Sequence, residues 1–72
     1  MIDEDKLIKD LIETLESELP TRYLSSLEEF KEFVAKDLMR ASYAVLDELR
    51  RKTDWAPSEK LQNLIRDYQV VF

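Results

Sequence analysis

The sequence contains no glycine, no cysteine and no histidine. Glycine is the residue that adopts positive φ at no steric cost, so its absence excludes glycine-rich phosphate loops and disfavours tight hairpin turns. The absence of cysteine excludes disulfides and thiolate metal sites. The absence of histidine removes the commonest general base and the commonest zinc ligand. Together these absences favour a helical protein with simple connections.

The residues that remain do not suggest a reaction centre. Serine and threonine hydroxyls have no histidine to activate them, and no spacing places a lysine in that role. Carboxylates are plentiful, and Glu28, Glu29 and Glu32 lie close together. Di-iron bundles, however, combine such glutamates with histidine. We therefore predict a protein that is not an enzyme, with no catalytic residue, no cofactor and no metal.

Long apolar runs are also missing from the sequence. A membrane-spanning helix needs about 20 consecutive apolar residues, and no stretch approaches this. The first ten residues, MIDEDKLIKD, are acidic and lack the basic flank of a signal peptide. Apolar residues make up 44% of the chain, which is too many for intrinsic disorder. We expect one domain, residues 1–72, located in the cytoplasm and not bound to a membrane.

The net charge of −5 is unevenly distributed along the chain. Residues 1–20 hold two cations and seven anions, and residues 21–49 hold four and six. Residues 50–72 hold five cations and three anions, a balance of +2. An acidic protein opposes non-specific nucleic-acid binding, which depends on neutralising phosphates. Only the last third of the chain could approach DNA without repulsion.

Apolar spacing predicts an all-α fold, a three-helix bundle. The first helix covers about residues 3–19, where apolar side chains recur at steps of three and four, and Pro20 ends it. Ser26 and Glu29 match a capping box, so a long central helix is predicted over about residues 27–52. A third helix is predicted over about residues 57–69, capped either by Asp54 or by Ser58.

The long central helix carries two apolar lines. The principal one runs from Leu27 to Leu49, and a second lies about 100° away around the helix. The members of the second line are Ala35, Met39, Tyr43 and Leu46. Methionine and tyrosine suit adaptable contacts, so this line is a candidate seam for a homodimer. The alternative is that it packs against the first or third helix of the same chain.

The segment LRRKTDWAPSEK interrupts the helical pattern. Arg50, Arg51 and Lys52 stand where a helix C-terminus favours cations, and the only tryptophan, Trp55, follows. One interpretation is a corner between helices, with the indole folded onto their ends. Arginine and tryptophan are also enriched at binding hot spots, so Arg50, Arg51 and Trp55 join the candidate interface.

The segment SEKLQNLIRDYQ, residues 58–69, carries a further pattern. It resembles the S-x-E-L-D-x-L-I-x-x-Y motif of the small sporulation-inhibitor phosphatases, helical hairpins that dephosphorylate response regulators. The matching positions are Ser58, Leu61, Leu64, Ile65 and Tyr68. The motif's glutamate and aspartate positions hold Lys60 and Gln62 instead, and the resemblance covers about a sixth of the chain.

Three functions follow as hypotheses. The leading one is a small helical regulatory module that acts by binding another protein and forms a homodimer. A relative of the response-regulator phosphatases is the second, as the resemblance implies. The third is a nucleic-acid-associated regulator that uses Arg50 and Arg51, which the acidic total charge disfavours.

Overall fold

In a computed structural model, residues 3–52 and 54–72 are described, and their regular structure is helical. Helix α1 covers Glu4–Glu18, α2 covers Leu24–Ala35, α3 covers Met39–Arg51 and α4 covers Glu59–Val71. A single 3₁₀ turn, Thr21–Tyr23, leads into α2. The all-α prediction is confirmed, whereas the three-helix description is wrong because the region predicted as one central helix forms two.

The ends of α1 and α4 follow local sequence signals. The Asp3 carboxylate accepts a hydrogen bond from the Lys6 amide at 3.1 Å and so caps α1, which ends just before Pro20. Ser58 caps α4 by accepting a bond from the Leu61 amide at 3.2 Å. Ser58, rather than Asp54, is therefore the cap. Helix α4 begins and ends two residues later than predicted.

Helix α2 begins earlier than the capping-box pattern indicates. The 3₁₀ turn after Pro20 runs directly into Leu24, so Ser26 lies inside the helix instead of at its N-terminus. Tyr23, at the N-cap position, makes no side-chain capping bond. The Ser26–Glu29 prediction is wrong because a preceding turn already supplies helical geometry to the chain.

The predicted central helix is broken at residues 36–38. Asp37 has φ of +59°, and the amides of Asp37 and Leu38 donate to the carbonyls of Val34 and Phe33 at 3.1 and 2.8 Å. This bond pair is a Schellman motif, with aspartate at the position where helices usually place glycine. The chain turns back here, so α2 and α3 form an antiparallel hairpin. No glycine or proline marks the turn, which explains the wrong prediction.

The four helices alternate in direction around one core. Helix α1 packs beside α4 and α2 beside α3, while α1 also contacts α2. The buried core is formed by Leu11, Leu15, Leu19, Leu27, Phe30, Val45, Leu46, Leu49, Leu61, Ile65 and Tyr68. All four helices contribute to it. Within the described ranges, no helix combines the length and apolar character needed to cross a bilayer.

Candidate functional site

The four residues of the predicted dimer seam do not lie on one helix. Ala35 ends α2 and is exposed, whereas Met39, Tyr43 and Leu46 lie on α3. Leu46 is fully buried, and Met39 and Tyr43 are partly buried against the core. These three side chains pack within the chain, as in the alternative interpretation of this line. The break at residues 36–38 is the reason, because it turns α3 back into the bundle.

The basic residues of the corner point in different directions. Arg50 and Arg51 occupy the last turn of α3, adjacent in sequence and so about 100° apart around the helix. Arg50 lines a groove between α3 and α4, and Arg51 lines a separate cleft beside Asp47 and Glu48. Trp55 is half-buried and packs against the core. The candidate interface residues are therefore dispersed.

The corner is held to the first half of the chain by Asp54. Its carboxylate accepts a bond from the Arg22 side chain at 2.6 Å and another from the Tyr23 hydroxyl. The bond from Tyr23, followed by the contact with Arg22, lowers the pKa of Asp54, while partial desolvation opposes the shift. The Tyr23 ring also lies 5.1 Å from the Arg22 guanidinium carbon. Trp55 follows this fixed point directly, so its position is set by the corner.

One groove on the surface is lined by cations and amides. It has a volume of about 410 Å³ and lies between the end of α3 and the start of α4. Its lining residues are Arg50, Pro57, Gln62, Asn63 and Arg66. Two guanidinium groups from two helices face this space, and none of the lining residues is a carboxylate. We call it the cationic groove.

Hydrogen bonds hold the polar side chains of the cationic groove in place. An Arg66 N–H donates to Asn63 Oδ1 at 3.0 Å, and the Gln62 amide donates to the Pro57 carbonyl at 3.0 Å. Because the Asn63 oxygen is used, its NH₂ group keeps both donors available. Arg66 keeps further N–H donors as well, since a guanidinium has five. The two arginines and Asn63 therefore present donors to the groove, while Gln62 keeps its carbonyl oxygen as an acceptor.

The two arginines of the groove are poorly neutralised by their neighbours. Arg50 Nη2 lies 4.0 Å from Asp47 Oδ1, the longest ion pair among the described residues. That aspartate oxygen also accepts a bond from the Gln69 side chain at 2.7 Å. Within the described part of the chain, no carboxylate oxygen lies within 4.0 Å of the Arg66 side-chain nitrogens. Positive charge thus remains available to a ligand.

Three other cations of the chain are paired more closely. Arg22 lies 2.6 Å from Asp54, Lys31 lies 2.8 Å from Glu16 and Lys36 lies 2.7 Å from Glu32. These hydrogen bonds raise the pKa of Arg22 and of Lys31, and the Lys36 ammonium lowers the pKa of Glu32. In such exposed pairs, the neighbouring carboxylate neutralises the positive charge. Within the described ranges, Lys6, Lys9, Arg40, Arg51 and Lys60 also lack an ion pair within 4.0 Å. What distinguishes Arg50 and Arg66 is that both line the same groove.

Sequence reasoning found Arg50 but missed its partners in the groove. Gln62 and Arg66 are spaced by four residues, so they share a face of α4, and Asn63 lies beside them. The signal that was available is the balance of +2 in residues 50–72. What sequence could not supply is the way the corner after α3 places the start of α4 beside Arg50.

No metal site is evident in the described ranges, where no three acidic side chains are grouped closely enough to hold an ion. Comparison with protein-family models, with curated proteins and with solved structures gave no match.

Proposed function

We propose that this chain is a non-enzymatic helical module that binds a negatively charged segment of another protein in the cationic groove. The single observation that carries the proposal is the pair Arg50 and Arg66, two guanidinium groups facing one groove with no carboxylate closer than 4.0 Å among the described residues. Arginine binds carboxylate and phosphate groups through paired N–H donors. An anionic side chain is the ligand that matches this chemistry.

The dimensions of the groove suit a short peptide segment. Its volume of about 410 Å³ falls within the range of about 300–1,000 Å³ typical of ligand pockets. Pro57 adds an apolar wall beside the charged groups. Arginine is one of the residues that dominates the binding energy of protein interfaces. The groove therefore offers charge, donors and an apolar contact to one extended segment.

A protein partner is favoured over a nucleic acid by the charge of the whole molecule. The chain carries −5 overall, and residues 1–20 alone carry −5. The closely spaced phosphates of a nucleic acid would be repelled by the negative charge of the whole molecule, even where some of them approach the groove. A protein segment can present one or two negative charges at the groove while keeping the rest of its surface neutral or basic.

A titration with a short glutamate peptide tests the proposal. We expect it to shift the backbone amide signals of Arg50, Asn63 and Arg66 in ¹⁵N–¹H spectra, with saturable binding that weakens as salt rises. A glutamine peptide of equal length is the control ligand and should cause no such shifts. A serine phosphopeptide tests whether a dianionic group binds more tightly than a carboxylate.

Two matched variants separate the groove from general electrostatics. Arg50→Glu with Arg66→Glu should abolish the shifts. Lys9→Glu with Arg40→Glu changes the net charge equally at exposed residues outside the groove and should leave most of the binding intact. Equal loss in both double variants, or tighter binding of a single-stranded oligonucleotide than of either acidic peptide, would contradict the proposal.

A further inference from the structure

The connection between α2 and α3 has a backbone conformation that the residues in it do not favour. Asp37 adopts φ of +59°, a left-handed conformation that residues with a Cβ atom enter at a cost, although aspartate and asparagine enter it more often than most. The next residue, Leu38, occupies the N-cap position of α3 and makes no capping bond. Leucine is among the poorest N-cap residues. Helix α2 thus ends without glycine, and α3 begins without a side-chain cap.

The same segment is well suited to continuous helix. The only prolines are Pro20 and Pro57, so neither proline nor glycine interrupts residues 21–56. Apolar residues keep helical spacing from Leu27 to Leu49 straight through the turn. Local preference and tertiary structure therefore disagree at residues 36–38, and packing of the bundle decides the outcome. A helix without the turn would satisfy the local preference instead.

The contacts that hold the turn closed connect the two halves of the chain. Residues 3–35 form the first half and residues 39–72 the second, apart from residue 53. The Glu18 carboxylate accepts bonds from the Ser58 amide and hydroxyl at 2.9 and 2.6 Å, and Arg22 pairs with Asp54 at 2.6 Å. Helix α1 packs against α4, and α2 against α3. If the turn straightens, all of these contacts are lost within the chain, yet a second copy in the same state can supply every one.

We propose that the chain forms a domain-swapped homodimer, in which α2 and α3 join into one continuous helix and each first half packs onto the second half of its partner. The occupant is a second copy because only this sequence carries the complementary core faces. Exchange of this kind is a common route to dimers when a short connection is strained. The cationic groove lies wholly within the second half, so the dimer would carry two of them and the proposal does not depend on their function.

A swap fits the surface better than two closed bundles meeting face to face. In the described part of the chain, the exposed large apolar side chains are Leu24, Leu38 and Val70, which are 42%, 48% and 79% exposed. They lie on α2, in the turn and on α4, so they occupy three different elements. Stable homodimer interfaces have an apolar centre. Here the large apolar faces are those of the core, which only an exchange of halves makes available.

Two substitutions at Asp37 test the role of the turn in opposite directions. Asp37→Gly removes the cost of positive φ and weakens a continuous helix, so we expect the dimer dissociation constant to rise. Asp37→Ala disfavours the left-handed conformation and favours helix, so we expect that constant to fall. Each change acts twice per dimer, and we expect about a tenfold shift, which corresponds to about 1.4 kcal/mol. Sedimentation equilibrium from micromolar to millimolar protein measures it.

Cross-linking distinguishes a swap from any other dimer. The chain has no native cysteine, so Arg22→Cys and Asp54→Cys can be placed on separate copies, at two half-exposed side chains that meet across the halves. An arginine–aspartate ion pair holds the two Cβ atoms farther apart than the about 3.5–4.5 Å of a disulfide, so a short bismaleimide is used to join the two thiols. After the copies are mixed, unfolded and refolded together, this reagent should cross-link the two chains of a swapped dimer. A chain carrying both substitutions is the control, because its monomer should be cross-linked internally.

Specific outcomes would overturn the swap. Wild type and Asp37→Ala that both stay monomeric to millimolar concentration would do so, and so would a dimer whose mixed chains fail to cross-link. If circular dichroism shows Asp37→Ala to be unfolded, the wild-type sedimentation and the mixed-chain cross-link decide. A failure of the groove titration leaves these outcomes unaffected, since the two experiments involve different residues.

Discussion

The hydroxyl of Tyr68 is a polar group at the centre of an apolar core. Tyr68 is fully buried, and its oxygen lies 2.7 Å from Ser42 Oγ and 3.0 Å from Met39 Sδ. Ser42 Oγ donates its own proton to the Met39 carbonyl at 2.7 Å, so the Tyr68 proton is directed to Ser42 or to the sulfur. Its ring also meets Phe30 edge-on, with centroids 5.6 Å apart. A single side chain thus joins α2, α3 and α4.

Removal of this hydroxyl should destabilise the fold. Tyr68→Phe keeps the ring but loses a buried hydrogen bond, and we expect the free energy of unfolding to fall by about 1 kcal/mol. Tyr43→Phe is the matched control, because the Tyr43 hydroxyl is buried without a hydrogen-bond partner among the described residues. That substitution should be neutral or stabilising. Urea unfolding of both variants measures the difference, and equal losses would contradict this account of the core.

Burial of Tyr68 also predicts how stability responds to alkaline pH. Desolvation raises the pKa of Tyr68 above its ordinary value, although the bond with Ser42 opposes the shift. The unfolded chain therefore loses this proton first, at a pH of about 10, while the folded chain retains it. Stability should fall as pH rises above that point. Tyr68→Phe has no proton to lose at this position. The difference in the free energy of unfolding between wild type and variant should therefore narrow as pH rises. Urea unfolding at several alkaline pH values measures the gap.

Among the elements, α4 is the one whose first turn depends on another helix. Ser58 caps α4 directly, and its amide and hydroxyl both donate to the Glu18 carboxylate at the end of α1. The carboxylate thus satisfies groups at the N-terminus of α4, where negative charge is favoured. This contact fixes the antiparallel order of α1 and α4. It also shapes the start of the helix that carries Gln62, Asn63 and Arg66.

Loss of this cap should weaken the fold measurably. Ser58→Ala removes the side-chain bonds to Leu61 and to Glu18, and we expect a cost of about 1 kcal/mol, as for other N-cap substitutions. Ser25→Ala is the control, since Ser25 is exposed inside α2 and alanine favours helix. Thermal unfolding compares the two. A melting temperature for Ser58→Ala equal to that of wild type would show that Glu18 alone holds the turn.

Element boundaries followed the sequence at three side-chain signals, whereas the Ser26–Glu29 pattern failed. Asp3, Pro20 and Ser58 each carry a local signal, and α1 and α4 were predicted to within about two residues. The turn at Asp37 carries no such signal, because the residues that usually mark a Schellman motif are glycine and asparagine. It forms because folding back lets α2 and α3 pack on each other and bury their apolar faces within one chain. Long-range packing of this kind cannot be read from local spacing.

At the scale of the whole molecule, the chain closes its own core. Its accessible surface is 4853 Å² for a mass of 8.6 kDa. A compact monomer of that mass is expected to expose about 4,700 Å². The all-α class followed from composition and periodicity. The candidate seam stays a prediction as an interface, although Leu46 is fully buried and Met39 and Tyr43 are partly buried against the core. Among the residues that line the cationic groove, only Arg50 could be predicted as a binding residue. The groove itself forms only in the fold, where the end of α3 lies beside the start of α4.

The buried position of Leu46 predicts that shortening its side chain will greatly reduce the stability of the fold. A domain of this size has a total stability of about 4–11 kcal/mol. Leu46→Ala creates a cavity in the core and should remove about 2–5 kcal/mol of it. Leu24→Ala deletes the same atoms from a side chain that is 42% exposed and should cost far less. Chemical denaturation measures both, and similar losses would place Leu46 outside the core.

Trp55 gives the molecule an intrinsic optical reporter. It is the only indole in the chain, it packs against the core, and the residue before it is anchored to Arg22 in the other half. Separation of the two halves would release this anchor and admit water to the ring, so the emission maximum should move to longer wavelength. The closed monomer and the swapped dimer both keep the ring packed, so a transient shift of this kind would record the open chains through which partners exchange halves, without any added dye.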